Sequence, residues 1–348
     1  MDALAGQTPG QTPPDGPSPG GQPPSGQPPQ GLPPDGLSPG GPPSDGLSPG
    51  GPPPEDRPPG VPAGVPDSER EPQGAQSGPA AWPPWAALAA LAMGVVLAAV
   101  GGLLVDIPAL ALGVHVTSSH VPAGLEIADT AVQDIGFVVA AVFFAQLGGR
   151  RVSAAQFGLR STPLWRSVRL VAATVIAFLA FSASWSVAFN APKEKLLEQL
   201  GTGESVALLL LSAALTCALA PVCEEVLFRG FIFPALRNWR GPKLAALITG
   251  VLFGAIHVGS APAIDLVPLA VLGVALCALY QSTGSIYPCF AVHSLNNSLA
   301  FGLLEEWEWS EILALMVCAL GLIAAAVLAM RRAGVIAPET AADIGPGG

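Results

Sequence analysis

The stretch CALAPVCEEVLFRG, residues 217–230, decides the architecture because it places Glu224, Glu225 and Arg229 in a segment apolar enough to lie in a membrane. A charge at the bilayer centre costs roughly 3 kcal/mol on insertion scales, so these side chains need a partner, a water-filled cavity or a function. Two further apolar segments carry His257 and the pair His293 and Asn297. The sequence therefore predicts a polar site inside a bundle of membrane helices.

The composition is that of a polytopic membrane protein of the all-α class. Half of the 348 residues are hydrophobic and 11% are charged, whereas a soluble domain has about 25% charged residues. Most of the net charge of -10 belongs to residues 1–80, so the acidity says little about the membrane domain. The five cysteines all lie in apolar segments, where we expect buried thiols. We expect the lipid bilayer as a partner and no nucleic acid.

Three regions follow one another along the chain. Residues 1–80 are rich in Pro, Gly, Ser and Gln and have no apolar periodicity, which predicts a disordered tail. The alternative for this tail is a binding arm for a partner. Residues 81–333 form the predicted transmembrane domain, and 334–348 are predicted to be a short disordered C-terminal tail.

The apolar runs of the domain are long enough for about eight spans, each of which needs roughly 20 residues. We place the helices near 85–105, 130–148, 168–189, 205–228, 244–259, 264–281, 286–303 and 311–330. An even number puts both termini on one side. That side then holds eleven of the thirteen basic residues of the domain, and only Lys193 and Lys195 lie opposite. The positive-inside rule makes it cytoplasmic, in the cell membrane.

The spacing of the polar residues indicates how they pair. Glu225 and Arg229 are four residues apart with the acid first, the favourable order for an ion pair within a helix. Glu224 then points elsewhere on the helix and is free to act as a general base. The alternative is a network that only stabilises the fold. Glu224 and His257 lie at similar distances from Gly241, so an antiparallel hairpin brings them level, with Phe253 beside the imidazole.

His293 and Asn297 are also four residues apart and share a helical face. Together they can donate hydrogen bonds to a developing oxyanion, or they can simply bond to neighbouring helices. His293 lies about 12 Å from the turn that precedes its helix, at 1.5 Å per residue. With straight helices, we expect it to lie shallower in the membrane than Glu224 and His257.

These residues resemble the three motifs of the CAAX-protease and bacteriocin-processing family of intramembrane endopeptidases, also called the Abi family. The motif EExxxR is present as Glu224, Glu225 and Arg229, FxxxH as Phe253 and His257, and HxxxN as His293 and Asn297. FGLR at 157–160 is similar to a short sequence that often precedes this region. The resemblance covers roughly residues 130–330.

The resemblance implies a protease in which Glu224 and His257 activate a water for attack on a peptide bond of a membrane-associated peptide or protein. His293 and Asn297 would stabilise the oxyanion, while Glu225, Arg229 and Phe253 support the site. We favour chemistry without a metal, because the chain has no HExxH helix; zinc held by one Glu and two His is the alternative. Two other functions stay open, a non-catalytic membrane adaptor and a proton-coupled transporter.

Overall fold

The computed structural model describes residues 82–115, 121–147, 149, 152–189 and 205–336, and these are helical without a strand, so the predicted all-α class is confirmed. The α-helices are α1 Pro84–Ala111, α2 Ala123–Gln146, α3 Leu164–Phe189, α4 Val206–Ala214, α5 Ala220–Glu225, α6 Phe233–Ala255, α7 Leu266–Thr283, α8 Tyr287–Leu304 and α9 Trp309–Arg332. Two π-helical turns, Leu215–Leu219 and Val226–Ile232, join α4 to α5 and α5 to α6. A 3-10 turn, Ala154–Phe157, lies before α3.

Some of the sequence-based predictions concern residues outside this description. The predicted N-terminal tail at 1–80 and most of the C-terminal one, 337–348, fall there. So do four of the basic residues used to orient the chain: Arg150, Arg151, Lys193 and Lys195.

Within the described ranges, six helical stretches are long and apolar enough to cross a membrane. One of them, Val206–Ala255, is 50 residues long and includes both π-helical turns. It bends at Gly241, and so accounts for two of the eight predicted segments. Tyr287–Leu304 supplies the remaining segment; it carries the polar residues His293, Asn296 and Asn297 and is not among the six. The chain is a multi-pass membrane protein.

The predicted antiparallel hairpin forms at Gly241. This residue has φ 77°, which glycine adopts without the steric cost that a Cβ brings, and Pro242 follows it. Phe228 and Phe253 lie on opposite arms of the hairpin, and their ring centres are 5.2 Å apart. The bend therefore returns α6 along the helix that carries Glu224.

The part of α6 that follows Gly241 packs very closely against α7. A Cβ added at Gly250 would come within 2.7 Å of the Ala270 carbonyl oxygen, and one added at Gly273 within 2.7 Å of the Gly250 Cα. Gly254, one turn after Gly250, would meet the Leu266 carbonyl oxygen at 2.6 Å. Small residues thus let two backbones touch, a common way to pack helices in membranes.

Residues near the basic turns meet at one end of the bundle. The FGLR segment docks there: the Ile286 backbone N–H donates to the Gly158 carbonyl at 2.9 Å, and Ser285 Oγ donates to the Arg160 carbonyl at 2.6 Å. Arg166 donates to the Ser282 carbonyl, and Arg331 to Ser161 Oγ. These bonds join the starts of α3 and α8 to the ends of α7 and α9. They lie on the side of the bundle that the sequence predicts to be basic.

Candidate active site

The ion pair expected between Glu225 and Arg229 is present, and both side chains are fully buried. Arg229 Nη1 lies 2.7 Å from Glu225 Oε1. Its Nη2 donates to the Gly273 carbonyl of α7 at 2.9 Å. The guanidinium carbon lies 4.7 Å from the centre of the Phe253 ring, within the range of a cation–π contact. The pair therefore fastens α5 and the second π-helical turn to α6 and α7.

Glu225 also holds His293, a contact that the sequence spacing did not predict. Nδ1 of His293 lies 2.9 Å from Glu225 Oε1. A carboxylate paired with arginine only accepts hydrogen bonds, so Nδ1 carries the proton of this bond. The other ring nitrogen, Nε2, lies 3.9 Å from Glu224 Oε2. His293 thus stands between the two adjacent glutamates.

His257 lies in the turn that follows α6, because the helix ends at Ala255 rather than near residue 259 as predicted. Its Nδ1 lies 2.8 Å from the Phe253 carbonyl oxygen. Since a carbonyl only accepts, Nδ1 is the protonated nitrogen and Nε2 of the neutral ring keeps its lone pair. This tautomer suits a group that accepts a proton or a hydrogen bond from water.

Phe253 contacts both histidines and so links their positions. Its ring centre is 5.1 Å from that of His257 and 5.5 Å from that of His293. Phe253 is fully buried. One aromatic ring therefore limits the rotation of two imidazoles, which agrees with the place expected for Phe253 beside His257.

Pro221 explains how Asn297 is held. The Ala220 N–H bonds to the Leu215 carbonyl, in the π-helical register, and Pro221 has no N–H. Pro221 therefore offers no N–H to the carbonyls of Thr216 and Cys217, which would be its acceptors in the π-helical and α-helical registers. Side chains of α8 replace this donor. Asn297 Nδ2 donates to the Thr216 carbonyl at 3.0 Å, and Ser294 Oγ to the Cys217 carbonyl at 2.6 Å.

These bonds leave Asn297 with one amide hydrogen to donate. Its Oδ1 accepts from Asn296 Nδ2 at 3.3 Å, and one of its two N–H groups goes to Thr216. The network sets the orientation of the amide, since only the nitrogen can donate to a carbonyl. The second N–H is available to a ligand in the cavity beside it.

All four residues predicted to be catalytic line one cavity of about 240 Å³. They are Glu224, His257, His293 and Asn297. Glu224 is 8% exposed and His293 is 3% exposed, so the cavity is narrow and sheltered. The expectation that His293 lies shallower than the other groups is wrong. It assumed straight α-helices, whereas two π-helical turns and the bend at Gly241 change the rise and direction of the chain that carries Glu224.

The sequence-based reasoning missed several polar residues of the site. Thr130, Gln133, Thr216 and Asn296 line the same cavity. Asp134 of α2 is fully buried and interacts electrostatically with Glu224. The sequence carries a signal for Asp134: it is an acidic residue in the apolar run AVQDIGFVVAAVFF, where a charge is as costly as that of Glu224.

The site offers few free ligands for a metal ion. In the part of the chain that the structure describes, no three His, Cys, Asp or Glu side chains gather closely enough to hold a metal ion. The Nδ1 atoms of both histidines already donate to protein oxygens. Only Nε2 of each ring and the Glu224 carboxylate would be left as ligands.

Residues 206–299 match a family model described as type II CAAX prenyl endopeptidase Rce1-like. This segment includes all three motifs, from Glu224 to Asn297. The resemblance to the CAAX-protease family is therefore confirmed for this segment, which is similar to an Rce1-like domain. Searches of curated proteins and of solved structures found no match.

Proposed function

We propose that this protein is an intramembrane endopeptidase that hydrolyses a peptide bond of a membrane-associated protein or peptide. The observation that carries this proposal is the single cavity on which Glu224, His257, His293 and Asn297 converge. An acid, two imidazoles and an amide are the groups that water activation and oxyanion binding require.

In the proposed reaction, a water lies between Glu224 and the Nε2 of His257. Nε2 accepts a hydrogen bond from this water, because Nδ1 is committed to the Phe253 carbonyl. Glu224 removes a proton while the water oxygen bonds to the carbonyl carbon.

His293 and Asn297 then receive the negative charge that develops on the carbonyl oxygen. Asn297 supplies its remaining N–H. In this proposal His293 supplies Nε2–H as an imidazolium that lies between the carboxylates of Glu225 and Glu224. Two carboxylates and two cations, Arg229 and His293, leave the buried site without net charge, which a low-dielectric interior favours.

The last step returns the proton. When the tetrahedral species collapses, the C–N bond breaks and Glu224 gives its proton to the leaving nitrogen. The products are a carboxylic acid and an amine, and the site returns to its starting charge. No step requires a metal ion, and we propose that none takes part. The enzyme would act in the cell membrane with both termini in the cytoplasm.

The test is proteolysis in liposomes on a pool of membrane-associated peptides, with products read by mass spectrometry. Glu224→Gln keeps the size of the side chain but removes the base, so we expect turnover to fall about 100-fold or more. Glu311→Gln is the matched control: Glu311 is exposed, and Gln can still accept the N–H of Glu308. Its products should equal those of the wild type.

A chelator arm of the same assay separates the metal alternatives. We expect cleavage to survive the chelator, whereas a zinc enzyme would lose it. Products that persist in Glu224→Gln would contradict the mechanism. The absence of any product that depends on Glu224 would favour a non-catalytic adaptor.

A further inference from the structure

Asp134 is a buried acid for which the mechanism above has no use. It lies in α2 with none of its surface exposed. Neither of its carboxyl oxygens has a hydrogen-bond partner among the described residues. A carboxyl group in this position is costly as an anion, since neither a donor nor a cation compensates its charge. A buried acid of this kind is expected to have a function.

The surroundings of Asp134 point to the active site. α2 packs against α5, which carries Glu224, and Asp134 interacts electrostatically with Glu224 and Cys223 of that helix. Thr130, one turn before Asp134, and Gln133 line the catalytic cavity. Thr130 and Asp134 are four residues apart, so the face of α2 that carries Asp134 also contributes to the wall of the cavity.

Glu224 lacks a hydrogen-bond donor, and a neutral Asp134 can supply one. In the described structure, Glu224 Oε2 is buried without a hydrogen-bond partner. The buried cation Arg229 bonds to Glu225 instead. Asp134 and Glu224 interact electrostatically in an apolar setting, where two carboxyl groups cannot both ionise easily and one of them keeps a proton. Asp134, more deeply buried than Glu224, is the one that keeps it.

We propose that Asp134 is a positioning residue that, as the neutral acid, donates a hydrogen bond to Glu224 and holds it as the ionised base. One oxygen of Glu224 then accepts from Asp134, while the other faces the water. The inference rests on the proposed function of Glu224. It adds to the site a residue of α2, which lies outside the matched segment 206–299.

Two substitutions test this role in opposite directions. Asp134→Leu removes a buried polar group, and such changes are often neutral or stabilising, so we expect an unfolding temperature equal to or above that of the wild type. We also expect its kcat to fall about 100-fold, as misplaced catalytic groups cause, with little change in KM. Asp134→Asn, which can still donate a hydrogen bond, should retain more kcat than Asp134→Leu. A purely structural role would not lower kcat in a more stable protein.

Asp129→Asn is the control, because Asp129 lies on the same helix but interacts with Asp106 and Glu126. It should leave kcat unchanged. Wild-type kcat in Asp134→Leu would overturn the proposal. So would equal loss of kcat and stability in both Asp134 variants.

Infrared spectroscopy gives a readout that needs no turnover. The wild type should show the C=O band of a neutral carboxyl group that Asp134→Asn removes and Asp129→Asn retains. If the Asp134→Asn difference spectrum shows only the loss of a carboxylate, the proposal is wrong. A wild type without Glu224-dependent cleavage would instead count against the proposed function, so the two failures are distinguishable.

Discussion

A single oxygen atom, Oε1 of Glu225, joins two of the three motifs. It accepts from Arg229 at 2.7 Å and from His293 at 2.9 Å, and both bonds are buried. The ion pair stabilises the fold, while the bond to His293 orients the imidazole so that its Nε2 faces Glu224. These two contributions should separate experimentally, because they use different partners of the same carboxylate.

A double-mutant cycle makes this separation measurable. Glu225→Leu leaves Arg229 as an unpaired buried cation and should lower stability by about 3–5 kcal/mol. Glu225→Leu combined with Arg229→Leu should recover much of that loss, since no buried charge is left alone. Activity should not recover, because His293 still lacks its acceptor. Thermal unfolding in detergent and peptide cleavage are the two measurements; joint recovery of both would contradict the second role of Glu225.

Residue spacing alone predicted a large part of the site. The i, i+4 pairs and the similar distances of Glu224 and His257 from Gly241 follow from helix geometry. Glu225 and Arg229 do form an ion pair, and Glu224 and His257 do line the same cavity. The bond between Glu225 and His293 was not predictable, because it joins residues 68 positions apart on helices of unknown tilt. Asp134 was predictable from its apolar surroundings, but it belongs to none of the three motifs.

At the scale of elements, Pro221 links the irregular helical turn at Leu215–Leu219 to the placement of Asn297. It removes the donor that the Thr216 and Cys217 carbonyls would otherwise use, and α8 supplies Asn297 and Ser294 in its place. From the sequence, Pro221 is only a tolerated proline within a span. Its consequence depends on which helix packs beside it, and this is tertiary information.

Restoring the missing N–H should therefore disturb the site. In Pro221→Ala the new N–H competes with α8 for these carbonyls, so we expect weaker placement of Asn297 and a kcat lowered about 10-fold or more, since small misplacements are costly. Pro288→Ala is the control, because Pro288 lies in the first turn of α8, where no helical acceptor is available for its N–H. Cleavage rates of the two variants give the test; equal rates would show that Pro221 has no special role.

At the scale of the whole molecule, the structure groups the basic turns at one end. Arg166 and Arg331 reach the Ser282 turn and Ser161 there. At the other end, Trp185 of α3 donates to the Ile264 carbonyl in the loop after His257. The number and order of the helices agree with the hydropathy of the sequence, while the positions at which they bend do not follow from it.

This grouping leads to a topology that fusions can test. From the positive-inside rule, we propose that the basic end and both termini are cytoplasmic. Green fluorescent protein fused at Met1 or Gly348 should fluoresce, and alkaline phosphatase inserted at Glu306, in the opposite loop, should be active. Phosphatase activity at either terminus would reverse the orientation.

The supports of the active site are mostly main-chain oxygens. His257 bonds to the carbonyl of Phe253, Asn297 to that of Thr216 and Arg229 to that of Gly273. A carbonyl oxygen is present whatever side chain its residue carries. The side chains at positions 216 and 217 can therefore change in evolution, as long as the backbone of the helix keeps its position. We therefore expect proteins related to this one to share the geometry of the site while preserving few of the residues that hold it.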